Sequence, residues 1–379
     1  IGVSRGLGDV YKRQDNKFVN EASTEVGVAG FFAFKNKEKF SKLSISKSLV
    51  RGFLSENYTV DEIESFTLSN CFEVGEVDKY ENLIENEINH RFFNEVIIDG
   101  NKVIKKCIDP KYEDVHNKEK LWYNAVSDRL ENIPKIHSYN PFTMEKINGD
   151  HLWDIEDDKE QLINNFCDAL DSLHNIAEVE ANNDDMIDVY LNKTKSRVEE
   201  VRSLIRDIDE PMVKINSRMC INPLCDEEYF VNHIKKISNI DKFNIIHGDN
   251  TFSNTIADEN SKIWFIDPRG VFGNTPIYGD RRYDYAKLYY SAYGNYDSIN
   301  SKDYRIKLGK RNVDLEIKSN GYEEYADLII KRSGVPKAEI QLIHACIWFA
   351  LTGYVKEDYD AVLFAFYKGC QLWTEAVSD

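Results

Sequence analysis

A chain of 379 residues, 42% hydrophobic and 30% charged, can bury a sizeable core, and at about 150 residues per unit it is expected to divide into two or three units. Its 48 Lys and Arg against 65 Asp and Glu leave a net charge of −17, a field that repels phosphate backbones and anionic lipid and so disfavours nucleic acid or a membrane surface as partner. The longest apolar run, residues 344–353, is too short to span a bilayer, and seven scattered cysteines without paired spacing read as reduced thiols of a cytosolic protein.

Residues 1–14 lack a start Met, the apolar core of a signal peptide and any periodicity, and are set apart as non-native read-through. Residues 15–88 read as the truncated end of another unit, with strands at 26–34 and 66–74 and a helix at 40–54, too little apolar material for an independent core. From 89 to 147 the pattern is that of a small α+β lobe. Val96-Ile97-Ile98 and Val103-Ile104 flank Asp99-Gly100, a hairpin signal. A helix is expected over 117–130, with Trp122, Val126 and Leu130 at helical spacing, then strands over 133–136 and 142–147. From 148 to 379 the chain reads as mainly helical. Leu162, Phe166, Ala169, Leu170 and Leu173 form one stripe, a second helix covers 188–205, a strand surrounds Ile245, and helix resumes from Asp284 to the end.

The chemistry concentrates in Ile245-Ile246-His247-Gly248-Asp249-Asn250-Thr251-Phe252-Ser253-Asn254 and the following Ile263-Trp264-Phe265-Ile266-Asp267-Pro268-Arg269-Gly270. Short strands at 255–257 and 262–266, joined by the turn Asp258-Glu259-Asn260-Ser261, fold back on each other. That hairpin sets Asn254 beside Asp267, with Asp249 on the loop upstream. An amide oxygen and a carboxylate suit Mg²⁺ bound together with phosphate, and the other carboxylate is left to accept a proton from an attacking hydroxyl. Phosphoryl transfer needs this equipment, since it rests on positioning and charge neutralisation.

His-Gly-Asp-x-x-x-x-Asn followed by Ile-Asp resembles the catalytic signature of the aminoglycoside phosphotransferase and choline kinase family. The resemblance covers about 91–379. It implies a two-lobed, protein-kinase-like α+β fold, with a small β-rich N-lobe (89–147) and a larger, mainly helical C-lobe (148–379). It implies Asp249 as catalytic base, Asn254 and Asp267 as Mg²⁺ ligands, His247 as a support of the loop, and ATP or GTP as co-substrate. Lys105, with neighbouring Lys106 as the alternative, resembles the family's phosphate-binding lysine, and Glu119, with Glu113 as runner-up, its ion-pair partner. Residues 142–149 resemble the hinge between lobes, where Glu145 and Ile147 supply backbone to the nucleotide base. No Gly-rich loop precedes the lysine strand; Arg91 lies in that region and is a candidate for the phosphates.

Gly248 and Pro268-Arg269-Gly270 depart from eukaryotic protein kinases and favour a small-molecule hydroxyl acceptor, a sugar derivative first. His174 reads as a satisfied core histidine. Asp284 is placed as a helix N-cap that braces the catalytic loop from behind, and Tyr283, Tyr285, Tyr289, Tyr290 and Tyr293 as core packing. Residues 75–80 close a segment that resembles the tail of a sugar-nucleotidyltransferase domain, which points to bacterial surface-polysaccharide metabolism. The rival reading is a nucleotide-binding module without catalysis, and it leaves the base without a purpose.

Overall fold

The computed structural model describes residues 11–14, 17–20 and 94–378. The chain forms two compact units, 1–91 and 92–379. In the first, strands β1 (Tyr11–Gln14) and β2 (Lys17–Asn20) pair antiparallel, and β1 lies within the stretch set apart on sequence grounds. The elements expected at 26–34, 40–54 and 66–74, the segment 75–80 and Arg91 lie outside the described residues.

The second unit begins with a four-stranded antiparallel sheet in the order β3-β4-β6-β5. Strands β3 (Asn94–Asp99) and β4 (Lys102–Cys107) form the expected hairpin, and Gly100 in its turn adopts φ +56°, which a Cβ would resist. Helix α1 (Glu113–Val126) follows, then β5 (Ile136–Tyr139) and β6 (Phe142–Glu145). The helix starts four residues before its expected position. Asp109 caps a 3-10 turn at Pro110–Tyr112 that runs directly into α1, whose first turn carries Glu113 and Asp114 where the helix dipole favours anions. The strand expected at 133–136 starts only at Ile136, because the Asn132 carbonyl is occupied by the N–H of Phe265 (2.7 Å) and its amide by Ile263 O (2.8 Å).

The rest of the unit starts with α2 (Lys159–His174), which buries the expected stripe from Leu162 to Leu173. Strand β7 (Glu178–Glu180) is followed by α3 (Asn183–Ile187), a π-helical turn (Asp188–Asn192) and α4 (Lys193–Glu199). The single helix expected over 188–205 is therefore corrected: it begins earlier, widens at its centre and ends at Glu199. Next come β8 (Met212–Ile215), β9 (Arg218–Ile221), α5 (Glu227–Ile237) and β10 (Lys242–Ile245). The expected hairpin is present as β11 (Thr255–Ala257) and β12 (Ile263–Phe265). Three short strands, β13 (Val271–Phe272), β14 (Thr275–Pro276) and β15 (Tyr278–Gly279), lead to α6 (Arg281–Ala292) and α7 (Asp297–Asn300).

The expected return to helix after Asp284 is also corrected. Strands β16 (Tyr304–Leu308) and β17 (Val313–Ile317) intervene and join β8 and β9 in a second four-stranded sheet, ordered β16-β17-β8-β9. Strands of four or five residues carry too few alternations to stand out in sequence, and β17 meets β8 in parallel across nearly a hundred residues. The chain closes with α8 (Ala326–Ser333), α9 (Lys337–Tyr354) and α10 (Tyr359–Ser378); Trp348 on α9 and Trp373 on α10 are fully buried. Among the described residues no helix is long and apolar enough to cross a membrane.

Candidate active site

Strand β10 carries the chain into the core, and its alternating apolar residues Phe243 and Ile245 are buried. The loop from His247 to Asn254 then turns back under α6. Such a buried loop must place its N–H groups, and α6 supplies the acceptors. The Asp284 carboxylate, fully buried in the first turn of α6, accepts the N–H of His247 and of Gly248 (2.8 Å each) and meets His174 Nε2 at 3.0 Å. Gly248 takes φ +77°, and a Cβ there would sit 3.2 Å from Arg269 Cβ, so glycine is what allows consecutive N–H groups to face one carboxylate. Asp284 thus braces the loop as expected, but the N-cap is Asp280, whose side chain accepts the Arg282 N–H; Asp284 is bound to the loop instead. Ser291 Oγ and Asp297 Oδ1 take the N–H groups of Phe252 (3.0 Å) and Ser253 (3.2 Å).

His247 locks this loop to the hairpin. Its Nδ1 accepts the Asp249 N–H (3.2 Å) and its Nε2–H donates to Ile266 O (3.0 Å), which defines the neutral tautomer; burial pushes its pKa down and keeps it so. The turn 258–261 forms as expected: the Asp258 carboxylate accepts the N–H groups of Asn260 and Lys262 and the Trp264 indole. The ladder pairs Thr255 with Phe265, and Ile266 N donates to Asn254 O (3.1 Å), so Asn254 and Asp267 emerge side by side. Asn254 Nδ2 donates to Asp249 O (2.7 Å) and to Asp249 Oδ2 (3.2 Å). That holds the amide with its oxygen as the group not engaged within the triad. Asp267 takes a positive φ of 55°, a conformation held in place by the surrounding bonds.

The sheet and α1 complete the site. Lys105, 7% exposed on β4, reaches Glu119 on α1 at 2.6 Å and also pairs with Asp267. Burial alone would lower the pKa of this ammonium, but Asp267 and Glu119 hold it above the usual lysine value. Lys106, on the opposite face, is exposed and pairs with Glu95, and Glu113 is a first-turn residue of α1, so it is Lys105 and Glu119 that the structure brings to Asp267. Trp122, one turn beyond Glu119, donates its indole N–H to Ile246 O (2.7 Å), tying α1 to the start of the loop.

In residues 142–149, the Glu145 N–H is committed to Lys135 O and the Lys146 N–H to Asn101 O (2.9 Å each), whereas Ile147 N–H enters no backbone bond among the described residues. A cavity of ≈ 650 Å³ opens beside Glu145, Ile147 and the β11–β12 turn.

Four partners of the loop went unread in the sequence. His151 Nδ1 meets Phe252 O (3.1 Å) and Thr255 O (2.9 Å). Lys287 Nζ pairs with Asp249 Oδ1 at 2.9 Å, and Ser291 and Asp297 are described above. Asp284, Lys287 and Ser291 stand at i, i+3 and i+7 on a helix otherwise buried among aromatic and apolar groups, the one signal that pointed to a polar face. The tyrosines Tyr283, Tyr285, Tyr289 and Tyr290 are core residues as expected.

Asn254 and Asp267 present hard oxygen donors, a set that fits a divalent cation sharing its shell with phosphate and water. Among the described residues no cluster of three or more His, Cys, Asp or Glu could hold a metal on protein ligands alone.

No protein-family model matches the chain, and no curated protein matches it. Among solved structures, the chain is similar to the gentamicin complex of APH(2")-IIa at 13% identity, with 81% of this chain and 99% of that one covered and a TM-score of 0.44. It is similar to a macrolide 2'-phosphotransferase type I at 13% identity, covering 78% and 98%, TM-score 0.42. A choline/ethanolamine kinase family protein from Mesorhizobium loti shows 12% identity over 76% and 90%, TM-score 0.40. A sheet-and-helix lobe that lends Lys105 and Glu119, set on a helical lobe that lends the loop and its hairpin, makes a two-lobed α+β architecture.

Proposed function

We propose that this chain is an ATP-dependent phosphotransferase that moves the γ-phosphate to a hydroxyl of a small molecule. The observation that carries the reading is the convergence of Asp249, Asn254 and Asp267 with the buried Lys105–Glu119 pair. In this reading Asp249 accepts the proton of the attacking hydroxyl. Lys105 neutralises the phosphates and is held in place for them by Glu119. Asn254 Oδ1 and the Asp267 carboxylate hold Mg²⁺, which when bound offsets charge on the β- and γ-phosphates. The Glu145 carbonyl and the Ile147 N–H face the base of the nucleotide. The acceptor of this reading is a sugar or sugar derivative of bacterial surface-polysaccharide metabolism, on the strength of the N-terminal resemblance. A cytosolic setting accords with six unpaired cysteines among the described residues.

The test pairs a thermal-shift titration with Mg-ATP and an ADP-release assay over a panel of hydroxyl compounds. The expected result is stabilisation by Mg-ATP and acceptor-dependent ADP release that disappears in Asp249→Asn. Stabilisation without turnover over a broad panel would instead favour the nucleotide-binding module.

A further inference from the structure

Beside the catalytic loop lies a cleft of ≈ 370 Å³, with Asp188, Asn192, Lys193, Arg269, Asn274 and Tyr283 in its walls. Its position follows from the loop: Arg269 N donates to His247 O (2.9 Å), and the Arg269 side chain lies over Gly248, next to Asp249. The opposite wall is the π-helical turn that runs into α4, an irregularity that recurs at functional sites and here brings Asp188, Asn192 and Lys193 to the cleft.

The charge of this cleft is opposite to that of the chain. Lys193 is half-buried and, among the described residues, makes no hydrogen bond or ion pair, and the exposed Arg269 guanidinium has no acidic partner among them. Asp188 is the one carboxylate in the lining among the described residues, and it accepts from the Nδ2 of Asn192 (2.7 Å) and of Asn274 (3.4 Å). Asp249, the nearby acid, is matched by Lys287. Burial, followed by the charges of Arg269, Lys287 and Arg197, drives the Lys193 ammonium well below the usual lysine range, with Asp249 the opposing influence. A partly buried amine flanked by other cations holds its proton more readily once an anion sits beside it. A cationic acceptor would find the reverse of what it needs.

We infer that the cleft is the acceptor subsite and that the acceptor is an anion, a hydroxyl compound already bearing a phosphate or carboxylate group, whose oxyanion pairs with Lys193 and Arg269 while its hydroxyl reaches Asp249. The inference rests on the phosphotransferase reading. In the step it serves, the hydroxyl proton passes to Asp249, the acceptor oxygen bonds to the γ-phosphorus, and the bond from that phosphorus to the β–γ bridging oxygen breaks. The products are a phosphate ester and ADP, with the proton later released to water. Lys287 holds Asp249 at the junction of base and acceptor.

The experiment is a binding titration of the full chain saturated with Mg-ADP, using one hexose scaffold in four charge states (glucose 6-phosphate, glucuronate, glucose and glucosamine) with inorganic phosphate as the minimal probe. The expected result is that phosphate and the two anionic sugars bind about tenfold or more tightly than glucose and glucosamine, the step one charge-assisted contact supplies. Glucose 6-phosphate against glucuronate tells phosphate from carboxylate as the preferred oxyanion. The preference is expected to vanish in Lys193→Ala and in Arg269→Ala, while a separate titration of each protein with Mg-ADP reports on the nucleotide site. A flat or reversed order, the same order in both variants, or no binding of any anion overturns the inference. In those cases retained Mg-ADP binding leaves the phosphotransferase reading standing, and its loss in the unmodified chain marks the failure of that reading instead.

Discussion

Asp249 and Lys105 carry the most consequential atoms. In the proposed phosphotransferase reading, Asp249→Asn keeps the shape of the loop and removes the proton acceptor, so turnover is expected to fall about 10²–10⁴-fold with Mg-nucleotide affinity largely kept. Unchanged turnover in that variant would remove the base from the mechanism. Lys105→Met is expected to cost about 3 kcal/mol of stability, because it strands the buried Glu119 carboxylate (2.6 Å from Nζ). Adding Glu119→Gln removes the stranded charge and is expected to restore most of that stability in urea unfolding. It is not expected to restore ATP turnover, since in the proposed reading Lys105 is the cation that meets the phosphates. A double variant that regains activity along with stability would make Lys105 a structural group. Both residues were singled out before any coordinates, Asp249 from the motif and its resemblance, and Lys105, with Lys106 as the alternative, from its resemblance to the family's phosphate-binding lysine. Lys287, against Asp249, was not, because its partner lies 38 positions away on another element.

At the level of elements, α6 is the scaffold on which the loop is hung. Its residues from Arg282 to Ala292 are all buried, and its polar face takes loop N–H groups through Asp284 and Ser291. Asp284→Asn offers an amide where two N–H groups and His174 need an acceptor with full negative charge. The expected cost is about 3 kcal/mol in unfolding free energy, accompanied by a fall in kcat larger than any change in KM for ATP. A kcat effect no larger than that of a surface control would show that the loop holds its form without α6. The β11–β12 hairpin was readable from its turn residues alone, because Asp258 closes the turn locally. The sheet β16-β17-β8-β9 was not, since each strand gains its meaning only from the others.

Over the whole molecule, the core sets how the protein answers to pH. His344 in α9 is fully buried, accepts the Trp348 indole N–H at Nε2 (2.9 Å), and is held well below the usual value of 6.5 by burial and, less, by Lys368. Its folded pKa is lowered, so the unfolded chain binds the proton first as pH falls. The stability it contributes is full above 6.5 and is lost on acidification below it. Asp297, raised to about 6 by burial, works in the opposite sense, stabilising below 3.8 and losing that contribution as pH rises through 6. His344→Gln keeps an acceptor for Trp348 and removes the titration, so its unfolding free energy is expected to fall less than that of the unmodified chain between about pH 7.5 and about pH 5. Parallel pH profiles for the two proteins would take His344 out of the account.

Local order was written in the sequence wherever its cause was local: the hairpin around Gly100, the apolar stripe of α2, the closed turn at Asp258, and the order of His247, Asp249, Asn254 and Asp267 along the chain. These follow from backbone sterics, side-chain period and hydrogen bonds a few residues long. Tertiary structure alone decided that Glu119 and Asp267 share one ammonium, that Lys287 meets Asp249, and that Lys193 and Arg269 face the same cleft. Those pairings bring together groups from separate elements, and only the packing of the core, which no single segment encodes, sets the distance between them.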